Sequence, residues 1–340
     1  MPKIRILFES ADKGPFIDWD EESLSECFDT RRIDIDIGKN EIKKAIILFF
    51  DLIKGIFWCD ITFSWFADEF TYYIVRIAKL LNKPTIVVIG GYEVAKIPEF
   101  EYGNLLNKRM IKKMQYLFNH CDIILPVDEG LKKDAINNLK LKKWDNIKVV
   151  PTGFDPEKFF PKGEKRNIIL TVASVSDLNR LRLKGLDVFV ETAKYISDYE
   201  FVHIGKLSIE CEKYLKNISP SNVSLLGYLP TEKVLEYYQN AKIYCQLSAR
   251  EGLPTALCEA MLCGCIPVGT EVQGIKTAIG DSGYYAKFGD PKDTALAIRM
   301  ALDIGNALYP RDRIINDFSL KKRRKQLKEI ILFLKKNNID

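Results

Sequence analysis

The stretch Ile243–Val268, IYCQLSAREGLPTALCEAMLCGCIPV, reads as a complete strand, turn, helix and strand. Ile243-Tyr244-Cys245-Gln246-Leu247 is a short apolar run of strand length. Arg250-Glu251-Gly252-Leu253-Pro254 breaks it with residues that turn the chain. Gly252 lets the backbone approach a ligand closely. Pro254 is tolerated in a first helical turn, where its missing N–H costs nothing. A helix then runs from Thr255-Ala256 through Glu259 and stops at Gly264, and Ile266-Pro267-Val268 starts the next strand. The N-terminus of such a helix presents N–H donors and the positive end of its dipole, which suits a diphosphate. Glu259, four residues after Thr255, is placed to accept hydrogen bonds from two neighbouring hydroxyls such as a ribose diol.

Outward from this unit the same alternation of strand and helix fills nearly the whole chain, which predicts parallel sheets wrapped by helices. Strands are expected at Ile4–Phe8, Ile33–Ile37, Asp60–Phe63, Thr85–Ile89, Ile123–Pro126 and Ile147–Val150. Helices are expected at Glu41–Lys54, Glu69–Leu81 and Leu105–Asn119. Pro151-Thr152-Gly153-Phe154-Asp155-Pro156 ends this series, and the segment up to Gly163 reads as a linker. A second series follows at Asn167–Ala173, Phe201–Ile204, Val223–Leu226, Ile243–Leu247 and Ile266–Val268. A chain of 340 residues is long enough for two domains. We place them at 1–155 and 156–312, with 313–340 a terminal helical segment able to pack back towards the first domain. Two similar α/β halves imply a cleft for ligands between them.

A second motif lies early in the second half. The strand ending at Val172-Ala173-Ser174 is followed by a polar loop carrying Arg180, Arg182 and Lys184, and a helix begins at Gly185. Arginine grips a phosphate bidentately, and lysine acts as a point charge. Arg180 and Arg182 both offer a guanidinium. A third motif, Leu226-Gly227-Tyr228-Leu229-Pro230, is a turn between a strand and a helix.

Glu251 and Glu259, with Gly252, Pro254, Ala260, Gly264 and Pro267-Val268 around them, resemble the Glu-x7-Glu signature of retaining glycosyltransferases, particularly the large family 4. That family has the GT-B fold, two Rossmann-like domains facing each other across a cleft. The resemblance is specific over residues 165–290 and loose over the N-terminal half. It implies that Glu251 lies by the donor sugar and Glu259 binds the nucleotide ribose. Lys184 and one preceding arginine would contact the donor diphosphate, and Tyr228 would lie near the base. Gly252, Leu253, Pro254, Thr255, Ala256 and Ser174 complete the expected nucleotide-sugar site.

The N-terminal half departs from the family pattern. Many members carry Gly-Gly after the first strand, where the loop approaches the donor phosphate; here Glu9-Ser10-Ala11-Asp12-Lys13-Gly14-Pro15 has one glycine, and Gly14 is the residue expected to serve on that nucleotide-sugar side. Many have a histidine after a later strand; here Gly90-Gly91-Tyr92-Glu93 stands instead. Gly91, Glu93 and Asp68 are the acceptor-side candidates, the two acids reading equally as helix caps. Asp34-Ile35-Asp36 matches the Asp-x-Asp of metal-dependent glycosyltransferases of another fold. It lies in an alternating strand and reads as that strand's solvated face, so no obligatory metal is expected.

Composition narrows the rest. Hydrophobic residues make up 47% and charged residues 29%, as in a globular protein. The net charge of +5 favours anionic partners without a nucleic-acid signature, and Lys321–Lys325 reads as a solvated helix face. The eight cysteines read as buried reduced thiols of a cytosolic protein, and two histidines leave little for a metal site. Ala45–Trp58 is the most apolar stretch, interrupted by Asp51 and Lys54 and shorter than the ~18 residues of a membrane span.

The expected activity is transfer of a hexose from a UDP- or GDP-linked donor to a hydroxyl of a glycan or glycolipid, with no cofactor beyond that co-substrate. Basic patches suit peripheral contact with an anionic inner membrane face and a role in polysaccharide biosynthesis. A nucleotide-sugar epimerase of the same fold and a non-catalytic nucleotide- or glycan-binding protein are the competing readings. A nicotinamide dehydrogenase is disfavoured, because no Gly-x-Gly-x-x-Gly follows the first strand.

Overall fold

The computed structural model describes residues 3–11, 13–35, 42–142, 144–304 and 309–337. The chain divides into two compact units: residues 1–98, 102–153 and 320–340 form the first, and 99–101 with 154–319 the second.

The first unit is built on five parallel strands: β1 (Arg5–Ser10), β2 (Asp29–Asp34), β3 (Ile61–Trp65), β4 (Thr85–Ile89) and β5 (Ile123–Pro126), in spatial order β2-β1-β3-β4-β5. The helices are α1 (Pro15–Ser25), α2 (Ile42–Trp58), α3 (Glu69–Leu80), α4 (Lys108–His120) and α5 (Glu129–Leu139). β3 and β4 are buried at every position, as expected of parallel strands covered on both faces. The edge strand β2 leaves Asp29, Arg31 and Asp34 exposed and buries Ile33. Side-chain caps set helix starts. Asp68 accepts from the Thr71 N–H at 2.8 Å before α3, and Asp128 from the Gly130 N–H at 2.7 Å before α5.

Three expectations need correction here. The strand expected from Ile33 begins at Asp29, where its pairing with β1 starts at Arg5↔Asp29. The helix expected from Leu105 starts at Lys108, because Asn107 caps it through the Arg109 N–H and Asn104–Leu106 is a separate 3-10 turn. The strand expected at Ile147–Val150 is reduced to a single parallel bridge, Ile124↔Ile147. Lys148 N–H donates to Ile124 O at 2.9 Å and Val150 N–H to Pro126 O at 3.0 Å. The ladder bond between these needs an N–H that Pro126 lacks, so no continuous strand forms. Ile37 and Asp36, at the end of the second expected strand, lie outside the described residues.

The second unit holds β6 (Arg166–Val172), α6 (Leu178–Leu183), α7 (Leu186–Thr192), β7 (Glu200–Ile204), α8 (Ile209–Ile218), β8 (Val223–Leu225), α9 (Thr231–Asn240), β9 (Ala241–Gln246), α10 (Thr255–Leu262), β10 (Ile266–Thr270), α11 (Gln273–Ile279), β11 (Tyr284–Ala286), α12 (Pro291–Ile304) and α13 (Pro310–Phe318). Its parallel sheet runs β11-β10-β9-β6-β7-β8. The core between the sheet and α7, α8 and α12 includes Ile169, Phe189, Phe201, Ile243, Val268 and Ile298. The sequence reading missed β11, whose three residues form a partly exposed edge. It also took α6 for a loop. The expected linker is packed from Phe154 onward, with Phe154 and Phe159 buried and Arg311 donating to the carbonyls of Pro156, Phe159 and Leu262.

The last helix, α14 (Leu320–Asn337), belongs to the first unit. Its basic run is not uniformly solvated. Arg323 is 2% exposed and pairs through Nε and Nη2 with the two carboxylate oxygens of Asp20, each at 2.5 Å. Its Nη1 donates to Val150 O and Pro151 O, and its guanidinium lies over the Trp65 ring. Trp65 Nε1 also donates to Asp20 at 2.9 Å, so an indole N–H joins the guanidinium on that carboxylate. All eight cysteines are free thiols, seven of them buried. Burial pushes the Cys121 thiol up to about 12, far from thiolate reactivity.

Candidate active site

In an open parallel sheet, neighbouring strands whose connections depart in opposite directions leave a crevice at their carboxyl ends. In the second unit that switch point lies between β6 and β9. The chain leaves β6 towards Ser174 and α6, and leaves β9 into Ser248–Pro254, so two of the sequence motifs meet there.

Glu251 is the centre of this meeting. One of its carboxylate oxygens, Oε1, accepts from Ser248 Oγ at 2.7 Å, Gln246 Nε2 at 2.9 Å and Lys184 Nζ at 2.6 Å. The Glu251 side chain is 13% exposed and that of Lys184 30%, so the pair is shielded yet reachable. A backbone bond joins the two segments, and a side chain of β10 steadies the second. Ala249 N–H donates to Leu183 O at 2.8 Å, and Thr270 Oγ1 to Ser248 O at 2.6 Å. Gly185 has φ +65°, and a Cβ there would stand 2.2 Å from Leu247 O. Only glycine therefore lets the α6–α7 junction carry Lys184 against the end of β9. The sequence reading missed Gln246 and Ser248. Their signal was a pair of polar residues ending an otherwise apolar strand.

α6 also separates the two arginines. Arg180 precedes Lys184 by four residues and shares its helical face, and Arg182 projects to the opposite side. Arg182 is exposed and its charge acts on Asp187. The start of α6 is fixed by Asp177, which accepts from the Arg180 N–H at 2.9 Å.

α10 supplies the third component. Pro254 occupies the cap position in extended conformation, one residue earlier than expected, and no side chain caps the first turn at Thr255-Ala256. The Gly252 carbonyl is pressed against α11, where a Cβ on Gly274 would overlap it at 1.1 Å. Leu253 is buried beneath this turn. Glu259 is partly exposed, and burial of its carboxyl pushes its pKa up to about 7, against the pull of a hydrogen bond with Tyr238 and the charge of Lys158. Tyr238 and Lys158 were not legible as neighbours of Glu259.

The carboxyl ends of β6, β7 and β8 continue the same edge. Ser174 Oγ accepts from the Lys206 N–H at 3.0 Å, and Gly205 N–H donates to Gly227 O at 2.8 Å. The Lys206 ammonium lies 5.0 Å from the centre of the exposed Tyr228 ring. Lys206 is a further cation that the sequence reading did not single out.

Gly14, Gly91, Glu93 and Asp68 lie in the first unit, grouped at its strand ends. Gly14 precedes α1 in extended backbone, a conformation open to any residue. Glu93 is buried, and its two carboxylate oxygens accept from the Gly90 and Gly91 N–H groups at 3.0 and 2.7 Å. Gly91 has φ +142°, which brings its N–H onto that carboxylate. Asp68 caps α3. Burial raises the pKa of both acids. Glu9, fully buried at the end of β1, is raised well above the usual range by burial and by the nearby Asp68 charge. Of the Asp-x-Asp pair, Asp34 accepts from Arg32 Nε at 2.7 Å, and Asp36 is outside the described residues. Among the described residues no three His, Cys, Asp or Glu side chains are grouped to hold a metal ion.

The two parallel sheets and their helices match solved structures over nearly the full chain. A structure of Anabaena Alr3699/HepE in complex with UDP and glucose aligns with TM-score 0.75 at 12% identity, covering 96% of this chain and 99% of that one. Sucrose-phosphate synthase from Thermosynechococcus elongatus aligns with TM-score 0.78 at 13% identity, over 98% and 99%. The class is thereby defined as the GT-B fold of two Rossmann-like domains.

Residues 166–303 match the family described as Glycosyl transferases group 1. The amylovoran biosynthesis glycosyltransferase AmsK of Erwinia amylovora is 30% identical over 279 residues, 76% of this chain and 66% of that protein. A Campylobacter jejuni N,N'-diacetylbacillosaminyl-diphospho-undecaprenol alpha-1,3-N-acetylgalactosaminyltransferase is 27% identical over 211 residues, 56% of this chain and 53% of that protein. Residues 166–303 are thus a group 1 glycosyltransferase domain of family 4-like type, and the chain spans between half and two thirds of the length of these two relatives.

Proposed function

We propose that the chain transfers a sugar from a nucleotide-diphosphate sugar to a hydroxyl of a glycan or lipid-linked acceptor, with retention at the anomeric carbon. The observation that carries this reading is the Lys184–Glu251 pair at the sheet's switch point, with Arg180 on the lysine's face. The uncapped first turn of α10 follows in the chain. A diphosphate seated there meets a point charge, a guanidinium fork and helix N–H donors. Negative charge grows on the diphosphate as the glycosidic bond breaks, and those groups stabilise it. The acceptor oxygen bonds to the anomeric carbon, its proton passes to the departing diphosphate, and the nucleoside diphosphate leaves. Glu251 lies beside the sugar, and Glu259 accepts from the ribose hydroxyls. Lys206 and Tyr228 face the base, with Ser174 fixing the Lys206 backbone.

The positive charge comes from the protein, so no metal or further cofactor is assigned. Glu93 and Asp68 direct their carboxylates onto backbone N–H groups, and thus shape the loops of the first unit that take the acceptor, with Gly91 allowing close approach there and Gly14 close approach to the donor phosphate. The names of relatives support donor and acceptor classes. Alr3699/HepE is described with UDP and glucose, and the Campylobacter relative by an acceptor on diphospho-undecaprenol.

A thermal-shift screen of nucleoside diphosphates and their sugars, followed by product analysis, tests the reading. Stabilisation by UDP or GDP, with donor consumed only when a hydroxyl acceptor is present, supports it. Turnover without acceptor makes the protein an epimerase. Binding without turnover makes it a non-catalytic receptor.

A further inference from the structure

α2 is apolar on both sides. Leu52 and Ile56 are buried against the sheet, and at Gly55 a Cβ would stand 2.8 Å from Leu7 Cδ1, so that face is pressed onto β1. The opposite face carries Ile46, Phe50, Ile53 and Phe57 in one row at helical spacing, flanked by Ile47 and Phe49. Ile47 is 63% exposed and Phe57 62%. A surface helix normally turns polar residues outward, so this row is unpartnered. The apolar surface continues onto α3. A groove of about 240 Å3 runs between the helices, lined by Phe49, Ile53, Phe70, Tyr73 and Ile77, and Leu80 beyond it is 83% exposed.

The borders of this surface are basic. Tyr73 also lies 5.3 Å from the Lys113 ammonium of α4. Arg109 precedes Lys113 by one turn on the same face, and Lys108, Arg109 and Lys112 are exposed. Over α2, α3 and α4 together the sequence has nine lysines and arginines against two acids, Asp51 and Glu69. Glu69 is already paired with Lys113, and Asp51 lies 3.9 Å from Lys54.

We propose that this face of the first unit docks on an anionic membrane surface. The α2 row and the exposed residues of α3 enter the headgroup boundary, and Lys108, Arg109 and Lys112 meet lipid phosphates. An exposed apolar row edged with bases is the chemistry of an interfacial helix. A symmetric contact between two copies would set the same basic rims against each other. No described helix is long and apolar enough to cross a membrane, and α2 is anchored to its sheet along one side, so it lies on the surface. The inference rests on the first unit alone and stands apart from the chemistry assigned to the second.

Vesicle sedimentation of the full chain tests it, with pure phosphatidylcholine against phosphatidylcholine containing phosphatidylglycerol, at low and high salt. We expect binding to the anionic vesicles that weakens with salt, and little to the neutral ones. Phe50→Asp with Phe57→Asp should reduce partitioning on the order of tenfold or more. Arg109→Glu with Lys112→Glu should remove most of the salt-sensitive part. Nucleotide binding by calorimetry and the melting temperature should match wild type in both variants. No sedimentation with anionic vesicles at low salt overturns the proposal. So does partitioning that survives Phe50→Asp/Phe57→Asp in folded protein. Self-association by ultracentrifugation, abolished by those substitutions without vesicle binding, would reassign the face to a contact between copies.

Discussion

Lys184 and Glu251 are 67 positions apart in the chain and 2.6 Å apart in space. The pair is assembled by the junction of α6 and α7 docking on the end of β9, where Gly185 admits the Leu247 carbonyl. Its ammonium is held by a carboxylate that is itself fixed by Ser248 and Gln246. A cation positioned in this way needs little reorganisation when charge develops beside it.

Lys184→Ala should therefore lower turnover by on the order of 10²–10³, with a smaller rise in the donor Michaelis constant. Arg180→Ala should be severe, because Arg180 shares the Lys184 face, and Arg182→Ala mild, because it points away. Steady-state kinetics on the three folded variants checks this. Near-normal turnover by Lys184→Ala removes the diphosphate role, and a severe Arg182→Ala beside a mild Arg180→Ala reverses the assignment of faces.

Glu259 links pH to both stability and binding. Its folded pKa of about 7 lies above the value of 4.5 expected in the unfolded chain. The unliganded protein then holds this proton more tightly when folded, so the contribution to stability is full below pH 4.5 and is lost as pH rises through 7. The loss amounts to about 3 kcal/mol at most. Glu259→Gln should melt higher than wild type at pH 8, with the gap closing towards pH 5, and should weaken nucleotide binding by roughly 1–3 kcal/mol. Buried Glu9, Asp68 and Glu93 contribute with the same sign, so the comparison between the two proteins isolates Glu259. Equal melting at both pH values, or unchanged nucleotide affinity, would remove the residue from these roles.

The Asp20–Arg323 pair should behave as a buried charge pair. Arg323→Ala leaves Asp20 without its cation in a fully buried site, and should cost about 3–5 kcal/mol. The double variant Asp20→Leu/Arg323→Met should recover much of that loss. Urea unfolding of wild type, Asp20→Leu, Arg323→Met and the double variant forms the cycle. Additive single effects would show that the two side chains are energetically independent.

If Lys184 and Arg180 hold the diphosphate as proposed, they supply the charge that a divalent cation would otherwise bring, and turnover should persist in chelator. A preparation that loses activity in chelator and regains it with Mg2+ or Mn2+ would require a metal site.

The alternation of apolar strands and amphipathic helices was sufficient to read two parallel sheets, because period and breakers are properties of a few neighbouring residues. The strand-turn-helix around Glu251 and Glu259, and the Lys184-Gly185 junction, were legible for the same reason. Tertiary structure decided what those residues meet. The sequence offered two arginines, and the helical conformation of 178–183, invisible as a polar loop, put Arg180 on the Lys184 face. It placed Arg323 in a solvated basic run, whereas Asp20, about 300 residues away, draws it into the core. It showed α2 to be apolar without revealing which side the sheet would cover. It gave no sign that Tyr238 and Lys158 surround Glu259. Local pattern reports which faces are apolar or charged; which partner each face finds depends on contacts between segments far apart in the chain, which only the packed sheets bring together.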